Sequence, residues 1–476
     1  MILCDNYLLN GCAIAGDLNT DNKVDLADFA IIADQFLQRV DPQKNWPMRQ
    51  RDMHHTGRAN FTVPDARLNS SFFDNILWQK PSPSSPDQGN FSSTSMVFHD
   101  NVGLDAKNIV LGAYHWPKGL QAMDRHTGQL LWFGNPDGGE NIARMTPAFS
   151  NDGNTVYVVN DATNHPLMAF DAATGPATRY HNGDDPEPDQ LALSSPTIGP
   201  QGRIWLHRWN DRVYAGTDYT TFISQTWAAA SPTFPCFNDP SLYQNGQQLL
   251  VIAGGRTVDI VAWDAASASE VWRTSTPGLP TDATATIDPL NGNIYIPYGF
   301  DDIAVVGLNK DGQDLWDHTA MPVFQWIPEN NEPQRAIAPG CISYDGHTFY
   351  FQTNSEAAQG ALYAINTADG SVKWSYPTQC QGWEIHSSSP IVTKNDVVIV
   401  GNNLGRTYYA IHDNGATPLL LDTLTVDTNG NAQASPTMSP DGILYLPLRT
   451  TWTATNGDGQ TPSNDIQNVF TAFDLK

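Results

Sequence analysis

The stretch Ala122-Met123-Asp124-Arg125-His126-Thr127-Gly128-Gln129-Leu130-Leu131-Trp132 reads as a strand, a tight turn and a second strand. Ala122 and Met123 close an apolar run. Asp124 to Gly128 supply turn chemistry, with Gly able to take positive φ. Leu130 to Trp132 open a new β-type run. The pattern returns as Ala169-Phe170-Asp171-Ala172-Ala173-Thr174-Gly175 ending at Tyr180, and as Ala262-Trp263-Asp264 ending at Trp272. Weaker copies are Gly307-Leu308-Asn309 with Asp311-Gly312 and Trp316, and Ala364-Ile365-Asn366 with Asp369-Gly370 and Trp374. Degenerate copies begin at Ala215, Ala410 and Ala472. Successive starts lie 47, 46, 47, 45, 57, 46 and 62 residues apart. A near-constant period of this size is a repeat architecture, so the motif is a structural unit before it is a site.

Each repeat opens with a Ser/Thr/Pro-rich strand, such as Thr146-Pro147-Ala148-Phe149, Ser195-Pro196-Thr197-Ile198 or Ser435-Pro436-Thr437-Met438. A turn and a second strand follow. The third strand ends in Ala-x-Asp and the fourth carries the Trp. Four short antiparallel strands per repeat make a propeller blade. Outer strands are marked by Trp132, Tyr180, Trp272, Trp316 and Trp374, with degraded ones near Phe222–Gln225 and Leu419–Leu421. The last repeat stops at Ala472-Phe473-Asp474-Leu475-Lys476 without a fourth strand. Asn75-Ile76-Leu77-Trp78-Gln79-Lys80 is an outer strand with no repeat of its own. The reading is therefore an all-β, eight-bladed β-propeller of four-stranded blades, closed by an N-terminal strand at about 74–82 that completes the last blade. Closure removes the open edges that invite aggregation.

Residues 46–476 resemble the PQQ-like, quinoprotein-type eight-bladed propellers. The Ala-x-Asp-x-x-Thr-Gly-x-x-x-Trp motif carries the resemblance, best at 122–132. It implies that the Trp residues dock one blade on the next. The lead-in Trp46-Pro47, followed by His55-Thr56-Gly57-Arg58, resembles the structural segment that precedes such repeats. His54 and His55 are neighbours, point apart in an extended chain, and suit no shared metal ion. Quinoprotein dehydrogenases of this family use PQQ, a calcium ion, a catalytic Asp and often a vicinal disulfide. This sequence has no Cys-Cys pair. Other members of the superfamily act as scaffolds, and fold alone does not choose between the two.

Composition narrows the partners. The 476 residues carry a net charge of −25, with only 16% charged side chains. That balance argues against nucleic acid and anionic membranes as partners. No run of 18 apolar residues marks a transmembrane helix. The five cysteines form no CxxC; Cys4 with Cys12, and Cys341 with Cys380, are either disulfides or buried free thiols.

Residues 17–28 place oxygen side chains at the spacing of an EF-hand-type calcium loop. Asp17, Asn19 and Asp21 each offer an oxygen, Lys23 its backbone carbonyl, Asp25 a water-mediated contact and Asp28 the closing carboxylate. Asn22 stands where Gly is usual. Phe29, Ile32, Ala33, Phe36 and Leu37 follow at helical spacing. The segment resembles one dockerin repeat, and residues 2–9 resemble the helix of a first repeat, so the chain reads as starting mid-domain. Met1 to Asp5 lack the features of a signal peptide. The division expected is a small α-helical, dockerin-like calcium-binding segment at 1–40, a linker and lead-in at 41–73, and the propeller at 74–476. The resemblance implies a cohesin-like protein, or another copy of this chain, as partner.

Candidate chemistry is sparse. Glu384 and His386 form a potential acid/base pair, Arg144, Arg335 and Arg449 fall at similar points of their repeats, and His207-Arg208-Trp209 lies beside an inner strand. The acidic run 184–189 reads as a solvated loop. The expected function is a secreted or cell-surface, calcium-binding, non-catalytic propeller serving as a binding, scaffold or assembly module, with a glycan or small-molecule ligand at a propeller face. The alternative is an enzyme, either a PQQ-dependent dehydrogenase or a polysaccharide-acting propeller.

Overall fold

A computed structural model describes residues 45–69, 71–81, 95–114, 119–134, 145–159, 167–180, 194–208, 212–219, 222–230, 238–254, 259–275, 283–298, 304–316, 338–355, 360–381, 388–426, 432–451 and 466–476. The expected dockerin-like segment and calcium loop at 1–40 fall outside these residues.

Eight sheets follow one another along the chain, antiparallel except that Arg58–Ala59 adds in parallel to the inner strand of blade 7. Blade 1 shows the plan: Val97–Val102 innermost, then Lys107–Tyr114, Gly119–Asp124 and Leu130–Gly134 outermost. The other inner strands are Ala148–Phe149, Thr197–Ile198, Ser241–Asn245, Thr286–Ile287, Cys341–Ile342, Ile391–Thr393 and Thr437–Met438, in blades 2 to 8. The expected closing strand is present. Ile76–Pro81 pairs antiparallel with Ile466–Asp474, with Trp78 opposite Ala472 and Lys80 opposite Phe470. Blade 5 departs from the plan, having three hydrogen-bonded strands among the described residues. Its Trp316 does not head an outer strand. It stacks on Tyr295 of its own blade, with ring centroids 5.9 Å apart.

The repeated turn has a simple construction. One Asp124 carboxylate oxygen accepts the N–H groups of His126 (3.1 Å) and Thr127 (2.8 Å) and the Thr127 hydroxyl (2.9 Å). Asp171 and Asp264 repeat this on their own turns. Gly128 then takes φ +66°, and a Cβ there would lie 2.6 Å from the Trp78 ring. The glycine is thus required twice, by the backbone and by the ring that occupies its side-chain space. Trp78 Nε1 donates to the Arg125 carbonyl at 3.0 Å. Trp132 caps the blade 2 turn likewise, over Gly175 with its Nε1 on the Ala172 carbonyl, and Trp272 caps Gly312 with its Nε1 on the Lys310 carbonyl. Each of these outer-strand tryptophans therefore docks one blade onto the turn of the next.

The Ser/Thr-Pro openers serve the inner ring. The Ser95 N–H donates to Thr146 Oγ1 (3.1 Å), Thr146 N–H to Ser195 Oγ (3.1 Å), Ser195 N–H to Asp239 Oδ1 (2.6 Å) and Asp239 N–H to Thr284 Oγ1 (2.9 Å). Ser389 N–H donates to Ser435 Oγ in the same way, at 2.9 Å. At these five junctions one short polar side chain ties an inner strand to the next.

Within the lead-in, Trp46, Ala59 and Val63 are buried in the core. Of the two alternatives for Cys341 and Cys380, the structure has buried free thiols. Cys341 lies on the inner strand of blade 6 and Cys380 at the end of its outer strand, so two strands separate them.

Candidate functional site

The inner strand of each blade pairs with its own sheet on one edge only. The other edge faces the channel, where its N–H groups need acceptors. Residues 46–57 supply them. Phe98 N–H donates to the Trp46 carbonyl (2.9 Å), Phe149 to Pro47 (2.7 Å), Leu242 to Met53 (2.8 Å), Ile287 to His54 (2.8 Å), Ile342 to Thr56 (3.0 Å) and Val392 to Gly57 (2.9 Å). The donors come from blades 1, 2, 4, 5, 6 and 7 in chain order. The segment is a collar running round the channel. Blade 3 is met by the His55 imidazole, whose Nε2 lies 3.2 Å from Thr197 Oγ1 and 3.3 Å from the Pro240 carbonyl.

So tight a course needs left-handed backbone. Gln50, Arg51 and His55 take φ of 56°, 78° and 53°, and Gly57 takes 61°. A Cβ on Gly57 would lie 2.6 Å from Cys341 Cβ. The three non-glycine residues cost on the order of 1–3 kcal/mol each. Buried ion pairs help to fix the collar. Arg49 meets Asp239 at 3.4 Å and Arg58 meets Asp288 at 3.2 Å, with the Arg58 guanidinium also donating to the Ser343 carbonyl at 2.6 Å.

A cavity of about 790 Å³ lies against the collar, at the end of the ring where inner strands turn into second strands. Arg51, Asp52, His54, Arg58, His99 and Tyr344 give it polar groups. Burial pushes the His54 and His99 imidazoles below the usual histidine value, so both are neutral at neutral pH. Asp52 accepts three bonds from its own collar. One oxygen accepts the N–H groups of His54 (3.1 Å) and Thr56 (3.2 Å), and the other accepts the Thr56 hydroxyl (2.5 Å).

The residues singled out in the sequence are elsewhere. Asp17, Asn19, Asp21, Lys23, Asp25 and Asp28 lie outside the described residues, as do Arg144, Arg335, Glu384, His386 and the run 184–189. Arg449 sits in blade 8, its backbone opposite Asn468. His207 is fully buried, pushed down to about 4 by burial, with Nδ1 2.8 Å from Asn238 Oδ1; it is a core side chain. His54 and His55 do diverge, His54 to the cavity and His55 to blades 3 and 4. Sequence reasoning missed Arg51, Asp52 and Arg58 as cavity residues. The available signal was their density: Arg49, Arg51, Asp52 and Arg58 fall within ten residues of a chain that is 16% charged. Among the described residues no group of three or more His, Cys, Asp or Glu side chains is placed to hold a metal ion.

Comparisons with known proteins agree on the fold. The family profile of outer membrane protein assembly factor BamB matches residues 227–428. No curated protein matches in sequence. A europium-containing methanol dehydrogenase is similar in structure, with TM-score 0.64 and 12% identity, covering 88% of this chain and 92% of that one. A quinohemoprotein alcohol dehydrogenase from Comamonas testosteroni matches with TM-score 0.62 and 14% identity, covering 93% and 82%. BamB from Moraxella catarrhalis matches with TM-score 0.52 and 14% identity, covering 83% and 98%. The chain is thus an eight-bladed, PQQ-like-repeat propeller resembling the quinoprotein dehydrogenases.

The expectation of a non-catalytic scaffold is corrected here, in favour of the enzyme alternative. The structures of similar fold at TM-scores of 0.64 and 0.62 are dehydrogenases.

Proposed function

We propose that this propeller is a quinoprotein-type oxidoreductase acting on a small organic molecule held near the ring axis. The cavity against the collar carries the reading. Its volume, about 790 Å³, suits an organic ligand, and it sets a few polar groups against mainly apolar walls. The quinone that the resemblance implies supplies reversible two-electron chemistry when bound. The fit to that group is incomplete: the described residues offer no carboxylate set for its companion metal, so no chemical step is assigned to them. The test is incubation with PQQ and calcium, followed by dye-linked oxidation of primary alcohols. Stoichiometric quinone uptake with dye reduction is expected. Absence of both would overturn the reading.

The oxygen spacing at 17–28 supports a separate proposal, that this loop binds calcium as one dockerin-like repeat. Calorimetry on Asp17→Ala should show calcium affinity lowered at least about tenfold, since one of roughly six hard ligands is lost. Unchanged affinity would refute the assignment.

A further inference from the structure

We infer that the axial cavity is a carboxylate site anchored by Arg51, taking a small organic acid with an apolar body. The inference rests on the proposed function only for the place of the site.

Arg51 is 7% exposed and lines the cavity. Its Nη1 donates to the Arg58 carbonyl at 2.6 Å and lies 3.3 Å from the Tyr344 hydroxyl. Arg49 and Arg58, its neighbours on the collar, each have a carboxylate within 3.4 Å. Among the described residues Arg51 has none within 4.0 Å. Nε and Nη2 have no protein acceptor there either. These two nitrogens carry the parallel N–H pair that grips a carboxylate side-on. A buried guanidinium without a counter-ion is costly, and an anion in the cavity supplies one. Gln50 and Arg51 both hold left-handed backbone.

The surroundings select the ligand. Met48, Met53, Ile198, Pro289 and Leu290 form apolar wall, which suits a hydrocarbon body rather than a bare inorganic anion. Asp52 is the acidic group of the lining, and its oxygens are occupied by collar donors. The Arg58 charge is balanced by Asp288. Asp52 keeps its charge, since its donors are neutral, and Arg51 is the lining guanidinium that has no carboxylate within 4.0 Å among the described residues. A chain of net charge −25 gives an anion no long-range attraction, so recognition is short-range and weakly salt-dependent.

Calorimetry with the full chain tests this, using hexanoate, hexanol and inorganic phosphate. Hexanoate should bind at least about tenfold more tightly than either of the others. Arg51→Gln should weaken hexanoate about tenfold or more, and Arg51→Lys by less, since it keeps the charge without the fork. Leu290→Asp gives a second variant on an exposed side chain (68%), and its new negative charge at the wall should also weaken hexanoate. No hexanoate binding, phosphate binding equal to hexanoate, or unchanged affinity in the variants would overturn the inference. Hexanoate binding without quinone uptake would sink the oxidoreductase reading and leave this one standing.

Discussion

Asp396 shows how one residue is shaped by neighbours far apart in sequence. It sits in left-handed backbone (φ 58°) in the turn after the blade 7 inner strand. Burial raises its pKa first, and the charges of Asp345 and Asp413 raise it further, to about 6. Lys373 opposes the shift, but its ammonium is already 2.8 Å from Asp413 Oδ2, which also accepts the Tyr350 hydroxyl. Because the folded pKa lies above the ordinary 3.8, the fold favours the protonated form. That contribution is complete below about pH 4 and is lost as pH rises to about 6. Asp396→Asn removes the charge, and Asn tolerates left-handed backbone. It should raise the melting temperature at pH 7.5 by roughly one to two degrees, with no gain at pH 4. Equal shifts at the two pH values would contradict this account. None of this was legible in the sequence, where the three carboxylates are separated by 51 and 17 residues.

At the scale of elements, the unit of cohesion is a tryptophan of one blade over the Thr-Gly turn of the next. Trp78 is the telling case, because its strand comes from the other end of the chain. It is 2% exposed, its ring fills the space beside Gly128, and its Nε1 is bonded to the Arg125 carbonyl. Trp78→Ala should destabilise the ring by about 3–5 kcal/mol, the range for emptying a buried aromatic site. Equilibrium urea denaturation measures it, and a loss under about 1 kcal/mol would show that the closing strand is dispensable. Most of this element was readable beforehand. The Asp bonds recur at the turns of Asp124, Asp171 and Asp264 and the Trp caps at Gly128, Gly175 and Gly312, so the requirement is written into those repeats. Trp316 escaped because it turned back onto Tyr295 of its own blade, a choice between neighbours of similar apolar character.

For the whole molecule, closure joins the chain in three ways. The strand Ile76–Pro81 completes blade 8. Arg125 of blade 1 pairs with Asp100 of the same blade and reaches Asp441 of blade 8 at 2.8 Å. The collar touches the inner strands of seven blades. The sequence by itself determined the repeat, the number of blades and the closing strand, because each depends on local turn chemistry and on a count along the chain. Only the tertiary structure decided that the lead-in forms a collar, that Arg49 and Arg58 find carboxylates 190 and 230 residues away, and that Arg51 finds none among the described residues. The physical reason is that a side chain's counter-ion and its cavity are set by which strands meet around the axis. No period or spacing in the lead-in itself records that meeting.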